Sequence, residues 1–129
     1  MSLRETPMLL RYWVRVGGTL AEEFPAVRGS ATAGPRRLDG VIVLGGTRRR
    51  VSPEQLEVAG KDIIVIQVKA GRLGMYLMGQ ALFSRELMRP FMPRSTRTVA
   101  LCGKDDSVLR PLAEMYGIEV VVDDPSDST

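Results

Sequence analysis

The sequence predicts an α/β sandwich, in which a mixed central sheet is flanked by helices. The first reason is a run of β-branched residues over 62–70, which is typical of a strand covered on both faces. The second is the order of the apolar segments, which alternate as α-β-turn-β-α-β-α-β. We expect a single domain over 1–122, since 129 residues can bury one core, and an acidic disordered tail over 123–129.

The first half of the chain is predicted to hold two helical segments and one strand. Pro7 is a favoured first-turn residue and opens the first helix, which a glycine pair ends. The capping-box spacing of Thr19 and Glu22 predicts a second, short helical turn. The predicted elements are a helix over 5–16, a helical turn over 19–24, a flexible loop over 28–37, a strand over 38–44 and a basic cluster over 47–50.

The second half is predicted to alternate between strands and helices. Ser52 and Pro53 have the residue types that start a helical turn, and Pro90 ends the longest helix. The predicted elements are a helical turn over 53–58, a central strand over 62–70, a helix over 73–89, a strand over 98–102, a helix over 105–116 and a strand over 118–122.

The longest predicted helix has two faces that could bury apolar surface. Residues spaced by four and three form one stripe that we expect to pack on the sheet, namely Leu73, Leu77, Gln80, Ser84 and Leu87. The remaining surface is apolar through Met75, Met78, Leu82 and Phe83. Because large exposed apolar patches mark contact surfaces, this second face would suit a homodimer interface.

The composition excludes several kinds of site. The sequence has no histidine, which removes Ser-His and Cys-His catalysis and imidazole zinc sites. Cys102 is the single cysteine, so neither an internal disulfide nor a cysteine metal cluster can form. Any metal would therefore sit among oxygen ligands, which suit Mg²⁺ or Mn²⁺. No apolar run approaches a membrane span and no secretory signal is seen, so we expect a cytoplasmic protein without a membrane partner.

The charge is unevenly distributed along the chain. Residues 1–104 carry 17 Lys and Arg against 8 Asp and Glu, whereas residues 105–129 carry 1 Arg against 7 Asp and Glu. A basic body with an acidic end suggests a polyanionic partner, although a basic surface also favours solubility alone.

Polar residues interrupt two apolar strands. Gln67 and Lys69 lie two apart on the central strand and therefore point to one face, so either a site lies there or the strand end reaches water. Asp39 heads the preceding long strand, where an Asp-Gly hairpin turn is the alternative interpretation. For Glu22 the alternative is the capping box, and for Glu23 it is a solvated face.

The order of these features resembles the PD-(D/E)XK nuclease superfamily, the restriction-endonuclease-like fold, over about residues 5–103. An acid heads a strand, a strand carrying Gln67-Val68-Lys69 follows, and the next helix bears Gln80. The resemblance implies an αβββαβ core. It also implies metal binding by Asp39, Gln67, the Val68 carbonyl and Glu23, and a Lys69 that orients water and stabilises phosphate charge.

The resemblance further implies that Glu22 or Glu23 is the acid of the first helix and that Gln80 is the glutamine some branches carry after the motif. Arginines in the loops would clamp DNA phosphates, namely Arg36, Arg37, Arg48, Arg49, Arg50 and Arg72. Gln67 departs from the family pattern, which has Glu or Asp there. We therefore keep two hypotheses, a Mg²⁺-dependent nuclease domain acting on DNA and an inactive nuclease fold that binds DNA or protein. A nucleotide-binding domain is disfavoured, because no glycine-rich phosphate loop joins a strand to a helix.

Overall fold

The computed structural model describes residues 1–125, which form a six-stranded sheet with helices on both faces. The three helices are α1 (Glu5–Val16), α2 (Met75–Leu87) and α3 (Leu109–Met115). The six strands are β1 (Thr19–Val27), β2 (Arg36–Val43), β3 (Arg49–Val51), β4 (Asp62–Arg72), β5 (Ser95–Lys104) and β6 (Ile118–Val122). Short 3-10 turns span Pro53–Gln55 and Arg89–Phe91.

The sheet is mixed, with the strand order β3-β1-β2-β4-β5-β6. The strands β1, β2 and β4 form an antiparallel meander, in which each strand pairs with the next. The helix α2 then connects β4 to β5, which pairs with it in parallel, and α3 connects β5 to the parallel edge strand β6. The predicted α/β class with a mixed central sheet is therefore confirmed.

The core has one layer of side chains on each face of the sheet. Alternate residues of β4 point to opposite faces, so Ile64, Ile66 and Val68 pack against Leu9 and its neighbours on α1. On the other face, Ile63 and Val65 lie in a cluster that includes Met88, which follows α2. A third cluster joins α2, α3, β5 and β6 through residues such as Leu77, Ala81, Ala100, Ala113 and Ile118. The predicted central strand is thus covered on both faces.

The predicted helical turn over 19–24 is wrong, because these residues form the first part of β1. Thr19, Leu20 and Ala21 pair with Val43, Ile42 and Val41 in an antiparallel ladder. Glu22 and Glu23 therefore lie on a strand and not on a helix. The capping-box spacing is a local preference worth about 1 kcal/mol, whereas the ladder buries Leu20 and Phe24 completely or nearly so.

Other boundaries differ by smaller amounts. Arg36 and Arg37 belong to β2 and not to the preceding loop, and the basic cluster contributes the short edge strand β3. The helix α1 and the strand β6 agree with the prediction, while α2 and α3 are shorter than predicted and β5 is longer.

The predicted acidic tail lies only partly within the described residues. Asp123 accepts two hydrogen bonds from the Arg11 guanidinium, at 2.9 and 2.7 Å, and its N–H donates to the carbonyl of Cys102. This residue is therefore tied to α1 and to β5. Residues 126–129 lie outside the described residues. None of the helices over residues 1–125 has the length and apolar character that crossing a membrane would require.

Candidate site at the opening of the central sheet

The ladder between β2 and β4 stops partway along both strands. Its last pair joins Gly40 to Ile66, and in a continuous ladder the next hydrogen-bonded pair would be Leu38 and Val68. Instead, the N–H of Val68 donates to the carboxylate Oδ2 of Asp39 at 2.8 Å. The backbone N–H and C=O of one strand residue point to the same edge, so the Val68 carbonyl also faces this gap. We call the gap, formed by Asp39 and the backbone of residues 67–70, the sheet opening.

Gln67 is buried beside the sheet opening, and its orientation is fixed at both ends of the amide. Its Nε2 donates to the Ser84 hydroxyl at 2.6 Å, and Ser84 in turn donates to the carbonyl of Gln80 at 2.5 Å. Because the single hydroxyl proton of Ser84 is used in that second bond, Ser84 must accept from the amide nitrogen. The Oε1 of Gln67 therefore faces β2, where it accepts a long hydrogen bond of 3.4 Å from the N–H of Asp39.

A second carboxylate reaches the same edge of β4 from the helix α1. The N–H of Ala70 donates to Oε2 of Glu5 at 3.3 Å, two residues beyond the N–H that Asp39 accepts. Lys69 lies between these two residues, is exposed to solvent and lowers the pKa of Glu5 by its positive charge. Two carboxylates and one amide oxygen therefore lie where β4 leaves β2, and Lys69 is close enough to Glu5 to lower its pKa.

Glu23 lies opposite Asp39 in the register of β1 and β2, between the pairs that Glu22 and Phe24 form. Its φ of 51° is in the left-handed region, which is unfavourable for a residue with a side chain. Its carboxylate accepts a hydrogen bond of 2.8 Å from the amino group of Met1. Glu22 is committed elsewhere, since it forms an ion pair with Arg50 at 2.6 Å. Of the two glutamates, Glu23 is therefore the one that lies beside Asp39.

The pKa of Asp39 is raised, mainly because burial penalises its charged form. The hydrogen bond from Val68 and the charge of the amino terminus act in the opposite direction, and the charges of Glu23 and Glu5 raise the pKa further. Burial would also raise the pKa of Glu5, but hydrogen bonds from Ser2 and Ala70 and the charge of Lys69 outweigh it, so the net shift is downward. The sheet opening thus concentrates negative charge around Asp39.

The arginines expected to bind nucleic acid are spread over the molecule. Arg36 and Arg37 are exposed at the start of β2, three and two residues before Asp39. Arg49 pairs with Thr19, at the opposite end of the sheet, and Arg48 precedes it there. Arg50 forms the ion pair with Glu22, and Arg72 donates to the carbonyl of Asp105 at 2.7 Å. Arg36 and Arg37 therefore lie near the sheet opening on β2, and Arg72 lies two residues after Ala70 on β4, whereas Arg48, Arg49 and Arg50 lie at the other end of β1.

Gln80 was predicted to lie on the buried stripe of α2, and this is wrong. Its side chain is exposed, whereas Leu77, Ala81 and Ser84 are buried. It lines a cleft of about 520 Å³ between α2 and the start of β2, with Gln67 among the lining residues. Gln67 therefore borders both the sheet opening and this cleft.

The sequence did not single out Glu5 or the hydroxyl of Ser84 as site residues. The resemblance implied an acid on the first helix, and Glu5 is the single acid of α1, so this signal could have identified it. The hydroxyl of Ser84 could have been noticed as a polar position in an otherwise apolar stripe. Within residues 1–125, no three aspartate, glutamate or cysteine side chains are grouped closely enough to hold a metal ion by themselves.

Comparison with known proteins identifies no relative of this chain. No protein-family model matches the chain, and searches of curated proteins and of solved structures return no significant match.

Proposed function

We propose that this chain is a nuclease-like domain with the restriction-endonuclease-like αβββαβ core, which hydrolyses phosphodiester bonds in DNA with Mg²⁺ or Mn²⁺. The element order supports it, since α1, the antiparallel meander of β1, β2 and β4, the helix α2 and the parallel strand β5 follow one another in that order. The observation that carries the proposal is the sheet opening, where Asp39 of β2 bonds to the backbone of Val68 and to the amide oxygen of Gln67 on β4. Lys69 follows on the same strand.

The residues at the sheet opening have the oxygen chemistry that a hard divalent cation prefers. Oδ1 of Asp39 takes part in no hydrogen bond among residues 1–125, and the amide oxygen of Gln67 and the carbonyl of Val68 face the same gap. Burial is the main cause of the raised pKa of Asp39, and the charges of Glu23 and Glu5 add to it, so a cation bound there would interact favourably with these acids. The protein supplies few carboxylates, so we expect weak metal binding that substrate phosphate strengthens.

Each residue of the sheet opening has a role in this proposal. A bound cation would act as a Lewis acid on the phosphoryl oxygens. Lys69 is exposed at the end of β4 and would hold positive charge against the phosphate. Glu5 takes the place that the resemblance gives to an acid on the first helix, because Glu22 and Glu23 lie on β1. Asp39 and Gln67 would orient the ion, and the hydroxyl of Ser84 keeps the amide oxygen of Gln67 turned toward it.

A second candidate function is a catalytically silent nuclease fold that binds DNA. The bonding of Gln67 favours it, since both ends of the amide are already used within the protein, by Ser84 and by the N–H of Asp39. The absence of a three-residue acidic group within residues 1–125 favours it too. This candidate predicts salt-sensitive DNA binding that needs no metal.

The experiment that tests the proposal is a cleavage assay with Mg²⁺ and with Mn²⁺ on single-stranded, duplex and branched DNA. We expect cleavage that EDTA abolishes and that Asp39→Asn and Lys69→Ala each lower by about 100-fold or more, since such groups act on the charged transition state. Asp62→Asn is the matched control, because Asp62 is an acid at the far end of the same strands, paired with Arg94.

Calorimetric titration of both metals into the wild type and Asp39→Asn measures metal binding at the sheet opening. Saturable binding that is lost in Asp39→Asn would favour the nuclease over the silent domain. Cleavage that survives in Asp39→Asn, or that falls equally in Asp62→Asn, would contradict the proposed site. DNA binding without cleavage under any metal condition would instead establish the silent domain.

A further inference from the structure

The cleft between α2 and the start of β2 exposes two aromatic side chains on one helix face. Tyr76 and Phe83 are 77 % and 66 % exposed, and with Gln80 they are spaced by four and three residues, so they lie along one face of α2. Contiguous exposed apolar patches, unlike single exposed side chains, mark interaction surfaces. Met75 extends the apolar surface at the start of the helix.

The opposite wall of the cleft is positively charged. Arg36 and Arg37 line it, and within residues 1–125 neither forms an ion pair. Arg36 donates to the carbonyl of Pro35, at 3.0 Å, and not to a carboxylate. Gln80 presents an exposed amide and Tyr76 a hydroxyl, whereas the Gln67 amide and the Ser84 hydroxyl on the lining already bond to each other. The cleft thus combines ring faces, guanidinium groups and one exposed amide, and none of the described residues that line it is acidic.

This combination is complementary to a nucleotide of a single strand. Bases stack on aromatic rings at roughly 1–3 kcal/mol per base, guanidinium groups pair with phosphates, and amides hydrogen-bond to base edges. A duplex buries its bases within the stack, so Tyr76 and Phe83 could not reach them. A peptide would need acidic and apolar side chains side by side to match both walls, whereas every nucleotide carries a ring and a phosphate together.

We propose that this cleft binds an unpaired nucleobase of single-stranded DNA, with the base stacked on Tyr76 or Phe83 and its phosphates paired with Arg36 and Arg37. This inference rests on the proposed function, to which it adds the form of the substrate. Gln67 lines the cleft, and its amide oxygen accepts from the backbone N–H of Asp39, so the cleft borders the β2 residue that carries the proposed site. Arg37 is two residues from Asp39 on β2, so the wall of the cleft that would pair with phosphates lies near Asp39 along this strand.

The test measures binding of the full-length protein in EDTA, by fluorescence anisotropy at fixed salt. The labelled probes are a 15-nucleotide thymidine strand, an abasic strand of equal length and a matching duplex. We expect the thymidine strand to bind at least about tenfold more tightly than the abasic strand, since only the former can stack. Tyr76→Ala and Phe83→Ala should weaken thymidine binding about 5- to 100-fold and leave abasic binding unchanged.

Tyr116→Ala is the matched control, because Tyr116 is 58 % exposed at the end of α3 and does not line the cleft. Tyr76→Phe is the conservative variant and should retain binding, because its ring is kept. Equal affinity for the thymidine and abasic strands would overturn the proposal. So would a dimer in sedimentation that Phe83→Ala dissociates, since this face would then be an interface between copies of the chain.

The two proposals fail separately in these experiments. The binding assay in EDTA contains no free divalent metal. Base-dependent binding without metal-dependent cleavage would therefore contradict the proposed nuclease activity and support the proposed base binding in the cleft. Cleavage that depends on Asp39 but is insensitive to Tyr76→Ala and Phe83→Ala would keep the nuclease and overturn the cleft.

Discussion

The two ends of the paired strands β2 and β4 each carry an aspartate, and the protein treats the two differently. We call the end where the ladder continues to Asp62 the closed end, and the end at the sheet opening the open end. At the closed end, Asp62 accepts hydrogen bonds from the Arg94 guanidinium and from the Ser95 hydroxyl, the latter at 2.6 Å. These partners lower its pKa strongly. At the open end, Asp39 accepts from the N–H of Val68 and forms no ion pair within residues 1–125, and burial raises its pKa.

Within residues 1–125, the difference separates a carboxylate that is paired with a guanidinium group from a half-buried one that forms no ion pair. A paired carboxylate needs nothing from outside the chain. A carboxylate with a raised pKa beside two other acids lowers the stability of the folded state when it ionises. The Met1 amino group supplies one positive charge against Asp39, Glu23 and Glu5, so a bound cation would offset the negative charge that is left. Variants at the two ends of the strands test this difference.

The largest effect on stability is expected at the closed half of the ladder, from Ile64→Ala. Ile64 is fully buried and pairs with Ile42. Removing its side chain beyond Cβ should lower the free energy of unfolding by about 2–5 kcal/mol, because apolar burial is lost and a cavity is left. Urea unfolding measures this change.

Lys69→Ala is the comparison from the open half, since Lys69 lies on the same strand but is exposed. It should change the free energy of unfolding by no more than about 0.5 kcal/mol. A loss as large as that of Ile64→Ala would show that the open end is a part of the structural core, and would remove the contrast between the two ends.

An intermediate effect is expected from Ser84→Ala, which tests the hydrogen bonding of Gln67. The substitution leaves the Gln67 amide nitrogen buried without its acceptor, and should lower the free energy of unfolding by about 1–3 kcal/mol. Thr98→Val is the control, because the Thr98 hydroxyl is buried and has no hydrogen-bond partner among residues 1–125. Losing that hydroxyl should be neutral or stabilising, and equal losses in the two variants would contradict the bonding described for Gln67.

The sequence predicted the closed half of these strands better than the open half. The run Ile63–Ile66 is apolar on both faces, so its place at the centre of the sheet followed from burial alone. The convergence of Asp39 and Gln67 was expected from the family resemblance. Its physical cause, the end of the ladder after Gly40 and Ile66, depends on tertiary pairing that no local pattern reports.

The strand β1 shows the same limit in another way. The residues from Thr19 to Phe24 match a helix-capping pattern, and that local preference is overridden by pairing with β2. Because of this error, Glu22 and Glu23 were expected on a helical segment, whereas they lie on β1 and Glu5 is the acid of α1. The contact of Glu5 with Ala70 spans 65 residues along the chain, and periodicity within a segment carries no information about it.

The smallest effect, and the sharpest contrast between the two aspartates, is expected in the pH dependence of stability. Because the folded-state pKa of Asp39 is raised, the folded protein holds this proton more tightly than the unfolded chain. The stability of the wild type relative to Asp39→Asn should therefore fall as the pH rises from about 3.8, the ordinary aspartate pKa, to the raised value. Urea unfolding at a series of pH values measures the difference.

Asp62→Asn should show the opposite sign in the same series. The folded-state pKa of Asp62 is lowered, so its contribution to stability is present above about pH 3.8 and is lost as the pH falls through the folded-state value. The wild type should thus gain stability over Asp62→Asn as the pH rises, and lose it relative to Asp39→Asn. If saturating Mg²⁺ binds beside Asp39, it should reverse the sign for that residue alone, because the bound cation favours the ionised carboxylate. Parallel curves for the two variants would mean that Asp39 is compensated within the protein, and the open end would then have no need of a cation.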